Sequence, residues 1–103
     1  MGKTLPFRLN DANMLSRVRS IAADTSRVFI EKHAKARMRK RRISITQIYE
    51  CLRKGHLTEP AHIAMRGGWK CTMTHRWAGD EISVPLVIEQ DEKGDWIAVI
   101  TVF

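Results

Sequence analysis

The chain has 103 residues, 44% of them apolar and 28% charged, a balance that supports one domain with a single modest core and excludes wholesale disorder. Its 18 Lys and Arg against 11 Asp and Glu give a net charge of +7 and a pI near 10.0. That excess favours a polyanionic partner, RNA or DNA first and an acidic protein second. No apolar run at the start of the chain has signal-peptide character, and none reaches membrane-spanning length, so a cytoplasmic location is expected.

Residues 1 to 10 read as an extended lead-in. Asn10 or Asp11 can then cap a first helix, whose stripe is Met14, Leu15, Val18, Ile21 and Ala22. It fades at Asp24-Thr25-Ser26. Val28-Phe29-Ile30 is either a brief strand or an anchored entry to the next helix. The second helix runs from about Glu31 or Lys32 to Arg41, with Ala34 and Met38 as its narrow buried stripe. A third helix opens on Ser44 and Gln47, which fit a capping box. Ile45, Ile48, Tyr49 and Leu52 follow at helical spacing, and Gly55 predicts a left-handed stop.

After Gly55 the apolar period becomes two. Residues 57 to 66 can form a short strand before Gly67-Gly68. Trp69, Cys71, Met73, His75 and Trp77 alternate with polar residues as a half-buried strand. Gly79-Asp80 turns into Ile82 to Gln90, and Lys93-Gly94-Asp95 turns into Trp96 to Phe103. The last run is apolar on both faces and is expected at the sheet centre, while Pro85 suggests an edge or a bulge in the strand beside it. The order, helices first and then a three- to four-stranded antiparallel meander, predicts an α+β fold. Trp69, Trp77 and Trp96 are read as core more readily than as base-stacking platforms, and Cys51 and Cys71 as buried free thiols.

Charge is distributed unevenly. Residues 32 to 42 hold seven Lys or Arg and no acid, whereas residues 80 to 95 hold six Asp or Glu and one Lys. Within the basic run His33, Arg37 and Arg41 recur every fourth residue, a ridge that rises about 6 Å per step on a helix. A helix N-terminus and neighbouring guanidiniums favour a neutral imidazole, the form that acts as a general base. Arg37 and Arg41 can fork onto phosphate oxygens. Lys35, Arg39, Lys40 and Arg42 read as solvated helix residues or as contacts to nucleic-acid phosphates, and Lys70 and Arg76 are strand candidates for the same role. His75 is the best second imidazole, although its face carries tryptophans and Cys71 and suits a core-edge histidine better. His56 and His62 carry less. No combination of His, Cys and acids has metal-ligand spacing, so no metal and no cofactor is expected. The acids from Glu89 to Asp95 are most simply a solvated turn.

The run His33-Ala34, Arg37-Met38, Arg41 and Ile43, a capped helix ending at Gly55, and a meander closing on Ile100-Thr101-Val102 resemble a family of small bacterial domains. That family carries an HAxxRMxxRGI helix and a terminal ITV strand, and is grouped with the barnase, EndoU, colicin and RelE-like nuclease fold. The resemblance covers residues 28 to 103 and leaves residues 1 to 27 as an extension with one helix. It implies a metal-independent ribonuclease of toxin type, with His33, Arg37, Arg41 and Thr101 as the catalytic set; Thr101 enters through this similarity alone. The family has Gly where this chain has Arg42. If the backbone there requires positive φ, Arg42 is strained; alternatively the helix junction differs slightly from the family's.

Three functions remain open on these grounds. One is an endoribonuclease acting by 2′-hydroxyl transesterification on mRNA or tRNA, free or ribosome-associated, and held by an acidic antitoxin. The second is a non-catalytic RNA- or DNA-binding module. The third is an adaptor whose basic helix docks an acidic protein.

Overall fold

The computed structural model describes residues 10–65, 67–77 and 79–103. Among them the chain forms α1 (Asp11–Ala22), β1 (Val28–Ile30), α2 (Lys32–Arg41), α3 (Ile45–Lys54), β2 (His56–Ile63), β3 (Trp69–Trp77), β4 (Asp80–Asp91) and β5 (Gly94–Val99). The lead-in expected over residues 1 to 10 lies outside the described residues except for Asn10, which caps α1 by accepting the Asn13 N–H at 2.8 Å.

The fold is α+β, with a sheet of order β1-β5-β4-β3-β2. β2 to β5 form an antiparallel meander, but β1 adds to β5 in parallel. The sheet is therefore mixed and five-stranded, not a three- to four-stranded antiparallel one. A three-residue strand gives little periodic signal. Its parallel partner, moreover, lies beyond two helices and the rest of the meander, a separation that local pattern does not encode.

The centre of the sheet also differs from expectation. β4, which carries Pro85, is the middle strand, and β5 lies between β4 and β1. Proline has no N–H to donate, and the irregularity falls on the chain opposite it. Ile100 donates to the Pro85 carbonyl at 3.0 Å, and Ser83 and Phe103 resume pairing at 2.6 and 2.9 Å. Between these bonds two steps along β4 face three along the tail, a bulge at Thr101–Val102. β5 ends at Val99 instead of continuing to Phe103.

One face of the sheet is covered by helices. Cys71, Met73, Val84, Leu86, Ile97 and Val99 are fully buried there, against Met14 and Val18 of α1 and Ile48, Cys51 and Leu52 of α3. α3 starts as the sequence predicts: Ser44 and Gln47 form a reciprocal capping box at 3.2 and 2.8 Å. Its stop does not. Gly55 is extended, with φ −74° and ψ −173°, and a Cβ there would lie 2.5 Å from the Cys51 carbonyl oxygen and 2.6 Å from that of Thr74. Glycine is needed for close approach, not for a left-handed turn.

Arginines clip α1 into this core. Arg19 donates to the Gly55 carbonyl at 2.9 Å, Arg53 to that of Ala22 at 3.1 Å, and Arg17 pairs with Asp95. On the opposite face Thr72 and Thr74 are buried but satisfied. The Thr74 hydroxyl bonds those of Thr58 and Ser83 at 2.8 Å each, and Thr72 donates to Glu59 at 2.7 Å. Trp77 is 37% exposed at the end of β3, so the expectation that all three tryptophans are core fails there.

Candidate nucleic-acid interface

α2 is held at both ends by backbone. At its start the Glu31 N–H bonds the Val99 carbonyl at 3.1 Å, extending the β1–β5 pairing to the first turn. At its end Arg42 has φ 57° and ψ 43°, the left-handed conformation. The Ile43 N–H bonds the Met38 carbonyl at 2.9 Å and the Arg42 N–H bonds that of Arg39 at 3.4 Å, the two bonds of a Schellman motif. Among the described residues Arg42 is the one non-glycine with positive φ. The sequence-based expectation of strain at Arg42 therefore matches its backbone.

Little of α2 is buried. Ala34 is fully enclosed and Met38 packs against the core from its margin. His33 is exposed in the first turn. Arg37 is half-buried, and its Nε donates to the Val102 carbonyl across a long 3.5 Å. That contact brings the middle of the ridge to the bulge holding Thr101, itself half-buried. Arg41 is exposed and lines a cleft of about 200 Å³ with Arg42, Gln47, Asp80, Glu81 and Phe103. On the other flank of the helix Lys35, Arg39 and Arg42 rim an open groove of about 460 Å³, floored by Met38 and Ile43. Lys40 is exposed.

The remaining candidates are elsewhere. Lys70 and Arg76 lie on β3 and face carboxylates, Glu59 at 3.5 Å and Glu81 at 3.8 Å. Among the described residues Lys70 is not brought to α2, whereas Arg76 is linked to its C-terminal end through Glu81, which lines the Arg41 cleft. His75 stands edge-on to Trp77, with ring centroids 6.4 Å apart, and pairs in register with Ile82, which lines the Arg41 cleft. His33 and Arg41 are eight residues apart, about 12 Å along the helix. His75 therefore lies toward the Arg41 end of the ridge rather than the His33 end. His56 is exposed, and His62 bonds the Pro60 carbonyl at 2.9 Å.

Among the described residues no three His, Cys, Asp or Glu side chains gather closely enough to hold a metal ion, and no helix is long and apolar enough to cross a membrane. Cys51 and Cys71 are free and buried; burial pushes both thiols up to about 12. The Thr72 hydroxyl holds the Glu59 carboxyl below its ordinary value, against a smaller opposing effect of burial.

Two features escaped the sequence. The acids Asp80 and Glu81 face Arg41 and Arg42 across the cleft, a long-range proximity with no local signal. Phe29 is 56% exposed and packs edge-on against Trp96. Strand alternation, with Val28 and Ile30 inward, was the signal available for that.

Residues 30–103 match the family described as Domain of unknown function (DUF4258). The chain belongs to that family. No curated protein and no solved structure matches it. The match begins at the last residue of β1 and takes in α2, both cavities beside it and the tail, so the whole basic ridge belongs to the family domain.

Proposed function

We propose that this member of the family is a metal-independent endoribonuclease of the RelE and barnase-like class, with α2 as its RNA-facing element. The carrying observation is the state of its cations. Among the described residues, none of the seven Lys and Arg from 32 to 42 forms an ion pair with a carboxylate. Outside this run, Arg17, Lys54, Lys70 and Arg76 face carboxylates and Arg19, Arg27 and Arg53 donate to backbone carbonyls. Concentrated, unneutralised charge suits the phosphates of a nucleic acid.

In this reading His33 takes the proton of a ribose 2′-hydroxyl, and that oxygen attacks the adjacent phosphorus. Arg37 and Arg41 stabilise the charge on the phosphorane. The Thr101 hydroxyl donates to a phosphate oxygen, aligned by the Arg37 contact to the neighbouring carbonyl. The 5′-oxygen leaves with a proton from solvent, giving a 2′,3′-cyclic phosphate and a 5′-hydroxyl. The substrate is mRNA or tRNA in the cytoplasm, and an acidic inhibitor or antitoxin would cover α2.

A second reading, a non-catalytic RNA- or DNA-binding module, is favoured by the solvent-open His33. The deciding experiment is cleavage of end-labelled RNA in excess chelator, with and without ribosomes, by wild type and His33→Ala. Cyclic-phosphate ends lost in the variant support the nuclease. Intact RNA bound equally by both supports the binding module. No RNA binding at about 150 mM salt, with tight capture of one acidic protein, supports the adaptor.

A further inference from the structure

We propose that the Phe29–Trp96 pair is a nucleobase subsite, so that the ligand of this face is single-stranded RNA with one base stacked on Phe29. This deepens the preceding proposal and rests on its RNA reading. Phe29 is the outward residue of β1, 56% exposed, and stands edge-on to Trp96 with centroids 5.1 Å apart at 77°. Trp96 holds the phenyl ring in place from the next strand and leaves its outer face free. A cavity of about 390 Å³ opens beside the pair.

The charge around this cavity differs in kind from that of α2. Asp95 is engaged by Arg17, and its carbonyl accepts from Arg27. Asp91 accepts the Lys93 backbone N–H at 2.8 Å. Two cations, Arg27 and Lys93, and two anions, Asp91 and Asp95, therefore line the mouth, which is close to neutral. An aromatic, neutral cavity suits the uncharged flat part of a nucleotide, while the unpaired cations of α2 suit its phosphates.

Connectivity joins the two. Phe29 and His33 are four positions apart in the chain, a span of at most about 14 Å even if fully extended, and the Glu31–Val99 bond fixes the link. A base on Phe29 therefore leaves its strand within reach of the α2 ridge. Duplex RNA keeps its bases stacked inside the helix and cannot use the site.

The test is binding of a fluorescent single-stranded oligoribonucleotide and of its duplex, across a salt series, by the full chain, Phe29→Ala and Phe29→Trp. Phe29 is exposed, so Phe29→Ala should fold, and a thermal melt checks that it does. The expected result is a loss of single-strand affinity of about fivefold to a hundredfold in Phe29→Ala, an unchanged salt slope, unchanged duplex binding, and recovery in Phe29→Trp. Equal loss for single strand and duplex, or no loss in Phe29→Ala while wild type binds RNA, overturns the base subsite and leaves the RNA reading standing. No binding by wild type to either RNA overturns both.

Discussion

α2 and α3 are ten-residue helices separated by three residues, and they divide the work of this domain. α3 has a reciprocal side-chain cap and buries Ile48, Cys51 and Leu52 under the sheet. α2 has no side-chain cap, buries Ala34 alone, and ends on a left-handed arginine. A helix with so few apolar contacts is not selected for what it packs. It is fixed through its ends, by the β1–β5 pairing and by the Schellman motif, so its cations are presented rather than consumed. In the proposed reading, a basic residue of this domain is structural when it reaches a partner, as Arg19 and Arg53 do, and open to a ligand when it reaches none, with Arg37, bonded to the Val102 carbonyl, between the two.

The contrast breaks if the two helices respond alike to mutation. The largest expected effect is on stability. Ile48→Ala should cost about 2–5 kcal/mol of unfolding free energy by leaving a cavity, read from a denaturant midpoint, with native-state RNA affinity unchanged. Protons add a second probe of the same core. Thiol values of 9.0 when unfolded and about 12 when folded mean that the folded protein binds more protons between those limits. Stability should therefore fall as pH rises above 9, present in full below it, and serine at either position should flatten the alkaline limb. A flat profile in the wild type would show that the thiols are not sealed.

Next in size is the charge of α2. Replacing Lys35, Arg39 and Lys40 together by Gln should lower single-strand affinity about 50-fold at 0.15 M salt, and should reduce the slope of log affinity on log salt by about 2, taking roughly 0.7 per phosphate lost. The melting temperature should hardly move. Arg53→Ala is the matched control on α3. It should lose its bond to the Ala22 carbonyl and destabilise the α1–α3 contact by about 1 kcal/mol, without altering the slope. An equal slope change in both would erase the distinction.

The local elements were legible because their signals are local. The Ser44–Gln47 box, the Met14–Val18–Ile21 stripe and the basic run all read directly from spacing. The parallel β1–β5 pair was not legible, since three residues carry too little pattern and the partner is about seventy residues away. Pro85 in the central strand was missed because the rule that proline avoids sheet interiors assumes an unbroken neighbour. Here the tail bulges at Thr101–Val102 instead. The ridge was visible as a period of four. That Arg41 shares a cleft with Asp80 and Glu81, and that Phe29 faces outward onto Trp96, depended on packing across the sheet.

Arg42 sharpens the comparison at a smaller scale. A left-handed non-glycine residue costs about 1–2 kcal/mol, while glycine loses about 0.5–1 kcal/mol more backbone entropy on folding. Arg42→Gly should therefore stabilise the protein by about 0.5–1 kcal/mol, seen as a higher denaturant midpoint. It should also weaken RNA binding, because the guanidinium lines both cavities that flank α2. A variant that is more stable and binds as well as wild type would show that the strain has no counterpart in ligand binding.

The smallest effect expected has the opposite sign. Asp80 and Glu81 face Arg41 and Arg42 across the cleft, yet neither makes an ion pair with them among the described residues. The two carboxylates leave the arginines free but oppose a phosphate drawn toward them. Each acts on them through solvent that screens charge over roughly 8 Å at 0.15 M salt, so its effect is a fraction of 1 kcal/mol. Asp80→Asn with Glu81→Gln should therefore raise RNA affinity about two- to fivefold at low salt, and the gain should vanish near 1 M. If affinity instead falls, the acids are orienting the arginines rather than competing with the ligand. The cleft would then belong with the structural arginines of α1 and α3, not with the open face of α2.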